Sequence, residues 1–161
     1  MTLRNDRPPV QRALAGASTT RQIVIRAGAL AETGRLAREM FPGRTAVIVA
    51  DGNTFRVAGE WVQASLRDAA VPIAEPIVFP AEPTLRPDVS NVATILTHLG
   101  PDTVPVAIGS GTINDLTKRA AHEAGLPYLV VATAASMDGY TASGAALIAD
   151  GVKQTFPCAA P

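Results

Sequence analysis

Apolar residues fall along this chain in short continuous runs that alternate with longer stretches of helical spacing. Thr45–Ala50 (TAVIVA), Pro76–Phe79, Thr103–Ile108 and Tyr128–Ala132 have the length of buried strands. Gln22–Arg26 alternates and is β-branched, which predicts a further short strand ahead of them. Helices are predicted in between. Ala27–Met40 carries Leu30, Leu36 and Met40 at helical spacing and stops at Pro42-Gly43. Thr54–Ala70 places Phe55, Val57, Ala58, Trp61, Val62 and Leu66 on one broad face. Val89–Leu99 ends at Gly100-Pro101, and Thr112–Ala124 is closed by Gly125. Pro80, Pro83 and Pro87 make an irregular link, with Thr84 in it as a loop residue. Finally, Ala145–Ala149 and Val152–Phe156 flank Asp150-Gly151, a pair that favours a type I′ hairpin turn.

This alternation predicts an α/β fold: a Rossmann-like parallel sheet with helices on both faces, right-handed crossovers and a C-terminal β-hairpin. Such sheets bind ligands beyond the carboxyl ends of their strands. Asp51, Gly109 and Thr133 each follow a predicted strand, so they are expected along one edge. Residues 22–161 are expected to form the domain, behind a flexible tail over residues 1–21 that carries Arg4, Arg7, Arg12 and Pro8-Pro9.

Composition narrows the picture. The chain has 161 residues, 47% of them apolar but only 4% aromatic, so its core must be built from Ala, Val, Leu and Ile. The formal net charge is zero, which leaves no basic face for nucleic acid. No apolar run is long enough for a membrane span, and the N-terminal residues have no continuous apolar stretch of secretory type. A single cysteine, Cys158, excludes an intrachain disulfide and a cysteine-cluster metal site. These features together point to a cytoplasmic protein.

The candidate chemistry lies in Val104–Ala145. There a strand runs into Gly109-Ser110-Gly111-Thr112 and a helix follows. Glycines let the backbone approach a ligand, and the free amides at a helix start suit a pyrophosphate. The third glycine of G-x-G-x-x-G is replaced by Asn114, and the segment alone equally fits a tight turn in which Thr112 caps the helix and Asp115 completes a capping box. Asp51 reads first as an Asp-Gly turn residue and second as an acceptor for an adenosine ribose. The segment Thr133-Ala134-Ala135-Ser136-Met137-Asp138-Gly139-Tyr140 places small residues between hydroxyls, leaving room for a flat ring or a sugar. Asp138 there is an acceptor for substrate hydroxyls. His98 and His122 read as helix-end surface residues, Lys118 and Arg119 as a solvated helix face, and Cys158 as an unreactive thiol.

Three stretches, GSGTINDLTK, GLPYLVVATAASMDGYTASGA and DGVKQTFP, resemble the N-terminal domain of the bacterial sn-glycerol-1-phosphate dehydrogenases. That family is grouped with glycerol dehydrogenase, iron-containing alcohol dehydrogenases and dehydroquinate synthase. The likeness covers about Gln22 to Pro161, and its most specific part is Ser136-Met-Asp-Gly-Tyr140 followed by Asp150-Gly-Val-Lys153. It implies that Gly111, Thr112, Ile113, Asn114 and Asp115 lie along an NAD(P) pyrophosphate, with Gly109 and Ser110 shaping the turn. It further implies Asp51 near the adenosine, Thr133, Ala134, Ala135 and Ser136 on the ribose and nicotinamide side, and Asp138 on the substrate. Where the family commonly has a serine this chain has Ala142, so Ser143 is expected to make that coenzyme contact.

The implied reaction is hydride transfer between NAD(P)H and dihydroxyacetone phosphate, giving sn-glycerol 1-phosphate for glycerophospholipid synthesis. The family's helical second domain supplies an Asp and two His for a divalent metal, Zn or Ni. By the same likeness those ligands lie beyond Pro161, outside this chain. The exposed face that would meet that domain invites homo-oligomerisation. Two other readings stay open: an inactive nucleotide-binding module, and a lyase related to dehydroquinate synthase.

Overall fold

A computed structural model describes residues 9–161. Its centre is a four-stranded, all-parallel sheet in the order β2-β1-β3-β4, built from β1 (Thr45–Asp51), β2 (Ile77–Phe79), β3 (Thr103–Gly109) and β4 (Leu129–Ala132). A separate antiparallel hairpin pairs β5 (Ala145–Ala149) with β6 (Val152–Phe156). Its turn residues Asp150 and Gly151 both have positive φ, 52° and 77°, as a type I′ turn requires.

The helices are α1 (Pro9–Ala15), α2 (Thr33–Met40, preceded by a 3₁₀ turn at Ala29–Glu32), α3 (Gly52–Thr54), α4 (Glu60–Asp68), α5 (Val89–Leu96) and α6 (Gly111–Glu123). A π-helical turn, Phe55–Gly59, joins α3 to α4. Among the described residues no helix is long and apolar enough to cross a membrane. Within the predicted tail, α1 is helical and buries none of its residues, and residues 1–8 of that tail lie outside the described part of the chain.

The continuous apolar runs of β1 and β3 are explained by burial on both faces. Alternate residues serve opposite layers. Ala46, Ile48 and Ala50 pack with Ala58, Val62, Leu66 and Ala37 on the α2–α4 side. Val47 and Val49 pack with Val92, Ile95, Leu116 and Ala120 on the side of α5 and α6, where the hairpin adds Ala145 and Leu147. Strand order then reverses direction at β1 and β3: the chain steps from β1 to β2 on one side and crosses back to β3 on the other. The crevice at such a switch point, beyond the strand ends, is where sheets of this kind take their ligands.

Three expectations change. Gln22–Arg26 forms no strand; Ile25 is 77% exposed, and the segment finds no partner among the described strands. A β-branched sequence needs a sheet edge to be a strand, and none is offered here. The segment Ala27–Met40 begins with residues 27–28 in a turn and a 3₁₀ segment, and the α-helix starts only at Thr33. Val57 and Trp61 do not share the buried face of Ala58, Val62 and Leu66; they are 65% and 69% exposed. Each stands one residue, about 100° of helix turn, from its buried neighbour Ala58 or Val62, which carries it past the edge of the buried stripe.

Candidate functional site

The carboxyl ends of β1 and β3 stand side by side, with Ala50 paired to Ile108, so Asp51 and Gly109 open onto the same crevice. A cleft of about 140 Å³ lies there, bounded by Asp51 and Asn53 after β1, Pro80, Ala81, Thr84 and Leu85 after β2, and Ser110, Thr112 and Ile113 after β3. Asp51, Ser110, Thr112 and Ile113 thus meet as expected. Asn53, Pro80, Ala81, Thr84 and Leu85 complete the wall. Their only signal in the sequence is position, a few residues past a predicted strand.

Asp51 is the N-cap of α3. Its Oδ1 accepts from the amides of Asn53 and Thr54, both at 2.9 Å, and the Thr54 hydroxyl accepts from the Asp51 amide at 3.1 Å. The turn reading of Asp51 holds, and the same residue also lines the cleft.

The helix α6 starts one residue earlier than expected. Ser110 is its N-cap without a side-chain hydrogen bond, so Thr112 lies inside the helix and the predicted Thr112–Asp115 capping box does not form. The Asn114 amide bonds Ser110 O at 3.0 Å. The donors before it, on Gly111, Thr112 and Ile113, belong to the unpaired first turn of a helix. Gly109 is required sterically: a Cβ there would stand 2.5 Å from Ile113 Cβ. At Gly111 a Cβ would meet nothing nearer than Met137 Cγ, at 3.9 Å. The backbone is therefore bare where a ligand would approach the amides. This arrangement fits a diphosphate, which needs close backbone approach and convergent N–H groups.

The loop over residues 133–144 packs back on this turn. The Thr133 amide donates to Gly109 O at 3.2 Å. The Tyr140 hydroxyl accepts from the Ala134 amide at 3.1 Å and lies 3.1 Å from Ala134 O and 3.3 Å from Gly109 O. Met137 reaches over Gly111, and its Sδ accepts from the Gly139 amide at 3.0 Å. Ala135, Ser136, Asp138 and Ser143 are exposed, while Thr133 and Ala134 are half-buried.

Asn114 and Asp115 use their side chains elsewhere. Asn114 is fully buried, and its Oδ1 accepts from the Tyr128 hydroxyl at 3.2 Å. Asp115 Oδ2 accepts from the Ala146 amide at 3.1 Å. Burial pushes the Tyr128 phenol far above its usual range.

Lys118 corrects the expectation of a solvated face. Its side chain has no exposure, and Nζ donates to Gly144 O at 3.0 Å and sits 3.6 Å from Asp115 Oδ1. Arg119 is 25% exposed, ion-pairs with Glu123 and lies 5.0 Å over the Phe156 ring. Both residues tie α6 to the hairpin. Burial lowers the Lys118 pKa from 10.5, and Asp115 only partly restores it. A lysine more acidic in the folded chain sheds its proton there first. Wild-type stability relative to Lys118→Met should therefore rise with pH, through the lowered folded pKa and up to 10.5. Near neutral pH, Lys118→Met should destabilise by about 1–3 kcal/mol, because Gly144 O loses its donor while Asp115 keeps the Ala146 amide. Urea unfolding of both proteins across pH checks this; parallel curves would contradict it.

Cys158 is buried, its thiol donates to Phe156 O at 3.4 Å, and burial raises its pKa, which keeps it a thiol. His98 and His122 are exposed near the ends of α5 and α6. Among the described residues no three His, Cys, Asp or Glu side chains converge.

A family model for iron-containing alcohol dehydrogenases matches residues 24–161, well over half of the chain. This chain belongs to that family. Among similar curated relatives, the glycerol-1-phosphate dehydrogenase (NAD(P)+) of Halalkalibacterium halodurans is 39% identical over 116 residues, 71% of this chain and 29% of the relative. That of Methanothrix thermoacetophila is 33% identical over 142 residues, 88% of this chain and 39% of the relative. The chain thus spans well under half the length of these relatives. A solved structure, the iron-containing alcohol dehydrogenase of Thermococcus thioreducens, shares the fold with a TM-score of 0.70 at 18% identity, over 89% of this chain and 45% of that one.

Proposed function

We propose that this chain is the coenzyme-binding part of an oxidoreductase of the sn-glycerol-1-phosphate dehydrogenase type. The observation that carries the reading is the crevice between β1 and β3, where the bare first turn of α6 faces Asp51 across a cleft. The 39% identity to a glycerol-1-phosphate dehydrogenase supports the same class.

In this reading the domain is residues 22–161. Gly111, Thr112 and Ile113 take the diphosphate on their amides, and Gly109 and Ser110 shape the turn. Asn114 and Asp115 act through the backbone and through packing, since their side chains are engaged by Tyr128 and Ala146. Asp51 and Asn53 lie beside the adenosine. Thr133, Ala134, Ala135, Ser136 and Ser143 line the ribose and nicotinamide side. Asp138, exposed and without a partner among the described residues, accepts hydrogen bonds from substrate hydroxyls.

Bound NAD(P)H would supply the hydride that reduces dihydroxyacetone phosphate to sn-glycerol 1-phosphate. The chain's own contribution is to hold the coenzyme in place and orient the polyol through Asp138. The described residues do not fit a divalent metal such as Zn or Ni of their own, since among them no three metal-ligating side chains converge.

The experiment is a fluorescence titration of the chain with NADH and NADPH, repeated with added dihydroxyacetone phosphate. Saturable binding is expected, and its absence would sink the reading. Asp138→Asn should leave coenzyme affinity within about twofold while weakening the polyol phosphate by about 1–3 kcal/mol, the range for a hydrogen bond to a charged group. Equal loss of both affinities would make Asp138 structural. Binding without turnover in the complete enzyme would favour an inactive nucleotide-binding module.

A further inference from the structure

Asp138 stands on a loop that has no regular hydrogen-bonded neighbour, yet a polyol site requires it to be held still. The loop is closed by one side chain. Between Ala134 and Tyr140 the chain leaves the sheet and returns, and the Tyr140 hydroxyl bridges the two ends. The hydroxyl has one proton and two lone pairs, and all of its partners are backbone. It accepts from the Ala134 amide at 3.1 Å, and its proton faces Ala134 O at 3.1 Å and Gly109 O at 3.3 Å. Gly109 is the residue that turns β3 into the amide cluster of α6, and its carbonyl also receives the Thr133 amide. Beside the Thr133 amide, this phenol joins the diphosphate turn to the closed loop that presents Asp138. The remaining bonds of this loop are short-range: Met137 N to Ala134 O, Gly139 N to Met137 Sδ, and Ala142 N to Gly139 O. None of these reaches the sheet.

We infer that Tyr140 is a positioning residue: its hydroxyl fixes loop 134–140 against the Gly109 turn, so that coenzyme and substrate groups are aligned before either ligand arrives. This rests on the coenzyme reading given under Proposed function, and it adds a residue with no assigned role. Met137 follows from the same arrangement. Its side chain lies over Gly111, so the approach to the diphosphate turn is shaped by the loop that Tyr140 holds. The ring of Tyr140 is half-buried, so removal of the oxygen alone leaves its packing in place.

The test is Tyr140→Phe, measured on the full chain with NADH as the probe. Three readouts are taken: the thermal midpoint, hydrogen exchange by segment, and the affinity and emission of bound NADH. A positioning role predicts an almost unchanged midpoint, faster exchange confined to residues 133–140, and NADH affinity weaker by about tenfold, the effect of losing one well-placed hydrogen bond. It further predicts that NADH bound at saturation shows less emission enhancement than on wild type, because the nicotinamide end is loosely held. A merely structural role would lower the midpoint and raise exchange throughout, with emission at saturation unchanged. Equal affinity and emission in wild type and variant would overturn the inference while leaving the coenzyme reading standing. Failure of the wild-type chain to bind NADH would overturn that reading first. Should the variant lose stability, Tyr140→Leu serves as the control: a tie made by the hydroxyl predicts the same affinity loss in both variants, and a larger loss with leucine assigns the effect to the ring and rejects the inference.

Discussion

Replacing Gly111 with valine should cost the chain its coenzyme while leaving its fold intact. The residue opens α6, and an added Cβ would have only Met137 near it, at 3.9 Å and 4.0 Å. An added Cβ meets nothing closer in the folded protein, and the valine methyls need only the unbranched Met137 side chain to give way, so stability should fall by no more than about 1 kcal/mol. The branched side chain would nevertheless stand in front of the amides of residues 111–113 and fill the gap beneath Met137. A diphosphate that must approach those amides closely would be displaced, with an affinity loss on the order of a hundredfold, equal to about 2.8 kcal/mol. Paired measurements of melting and NADH titration read both halves. An unchanged Kd would remove this turn from the binding site.

Gly109→Ala should behave in the opposite way, harming the fold before the ligand. Its Cβ would lie 2.5 Å from Ile113 Cβ, 2.9 Å from Cγ1 and 3.0 Å from Cγ2. Ile113 is 1% exposed and packed in the core on the α6 side, so it has nowhere to withdraw. The closest atom is the Cβ itself, which means that trimming Ile113 to alanine would not relieve the clash; the strand end or the helix must shift. Overpacking of this kind destabilises by about 2–3 kcal/mol. The midpoint should fall by roughly 5–10 °C for a domain of this size. An alanine variant that melts with wild type would show that the turn has slack and that Gly109 has no steric role.

The contrast between these two glycines marks what was legible in the sequence and what was not. Gly-Ser-Gly-Thr after an apolar strand announced a bare turn, but the motif alone does not say which glycine is crowded by its neighbours and which is open to a ligand. Only the position of Ile113 separates them. The strands β1 and β3 were readable because continuous apolar runs bounded by turn residues admit few other structures. Gln22–Arg26 shows the limit of that logic: the pattern is local, whereas a strand needs a partner. Val57 and Trp61 show a second limit: an apolar side chain about 100° from the buried stripe reads as part of a broad face, and only the packing of α4 shows where that face ends.

Lys118 and Tyr140 were the least legible. A lysine in a helix reads as solvated, and only the hairpin folding back over α6 brings Gly144 O to its ammonium. Tyr140 stood in plain view within the loop motif, but its role depends on a seven-residue closure that leaves no periodic trace. Asp51 was read both ways, as turn and as ligand acceptor. The structure makes these compatible, since one carboxylate caps α3 and also borders the cleft.

The central claim is that the amides opening α6 seat a coenzyme diphosphate, and a crystal structure of the chain grown with NADH tests it most directly. The account predicts diphosphate oxygens within hydrogen-bond distance, about 2.7–3.2 Å, of the Gly111, Thr112 and Ile113 nitrogens. NADH bound at another edge of the sheet, or a crevice left empty at saturating NADH, would contradict it.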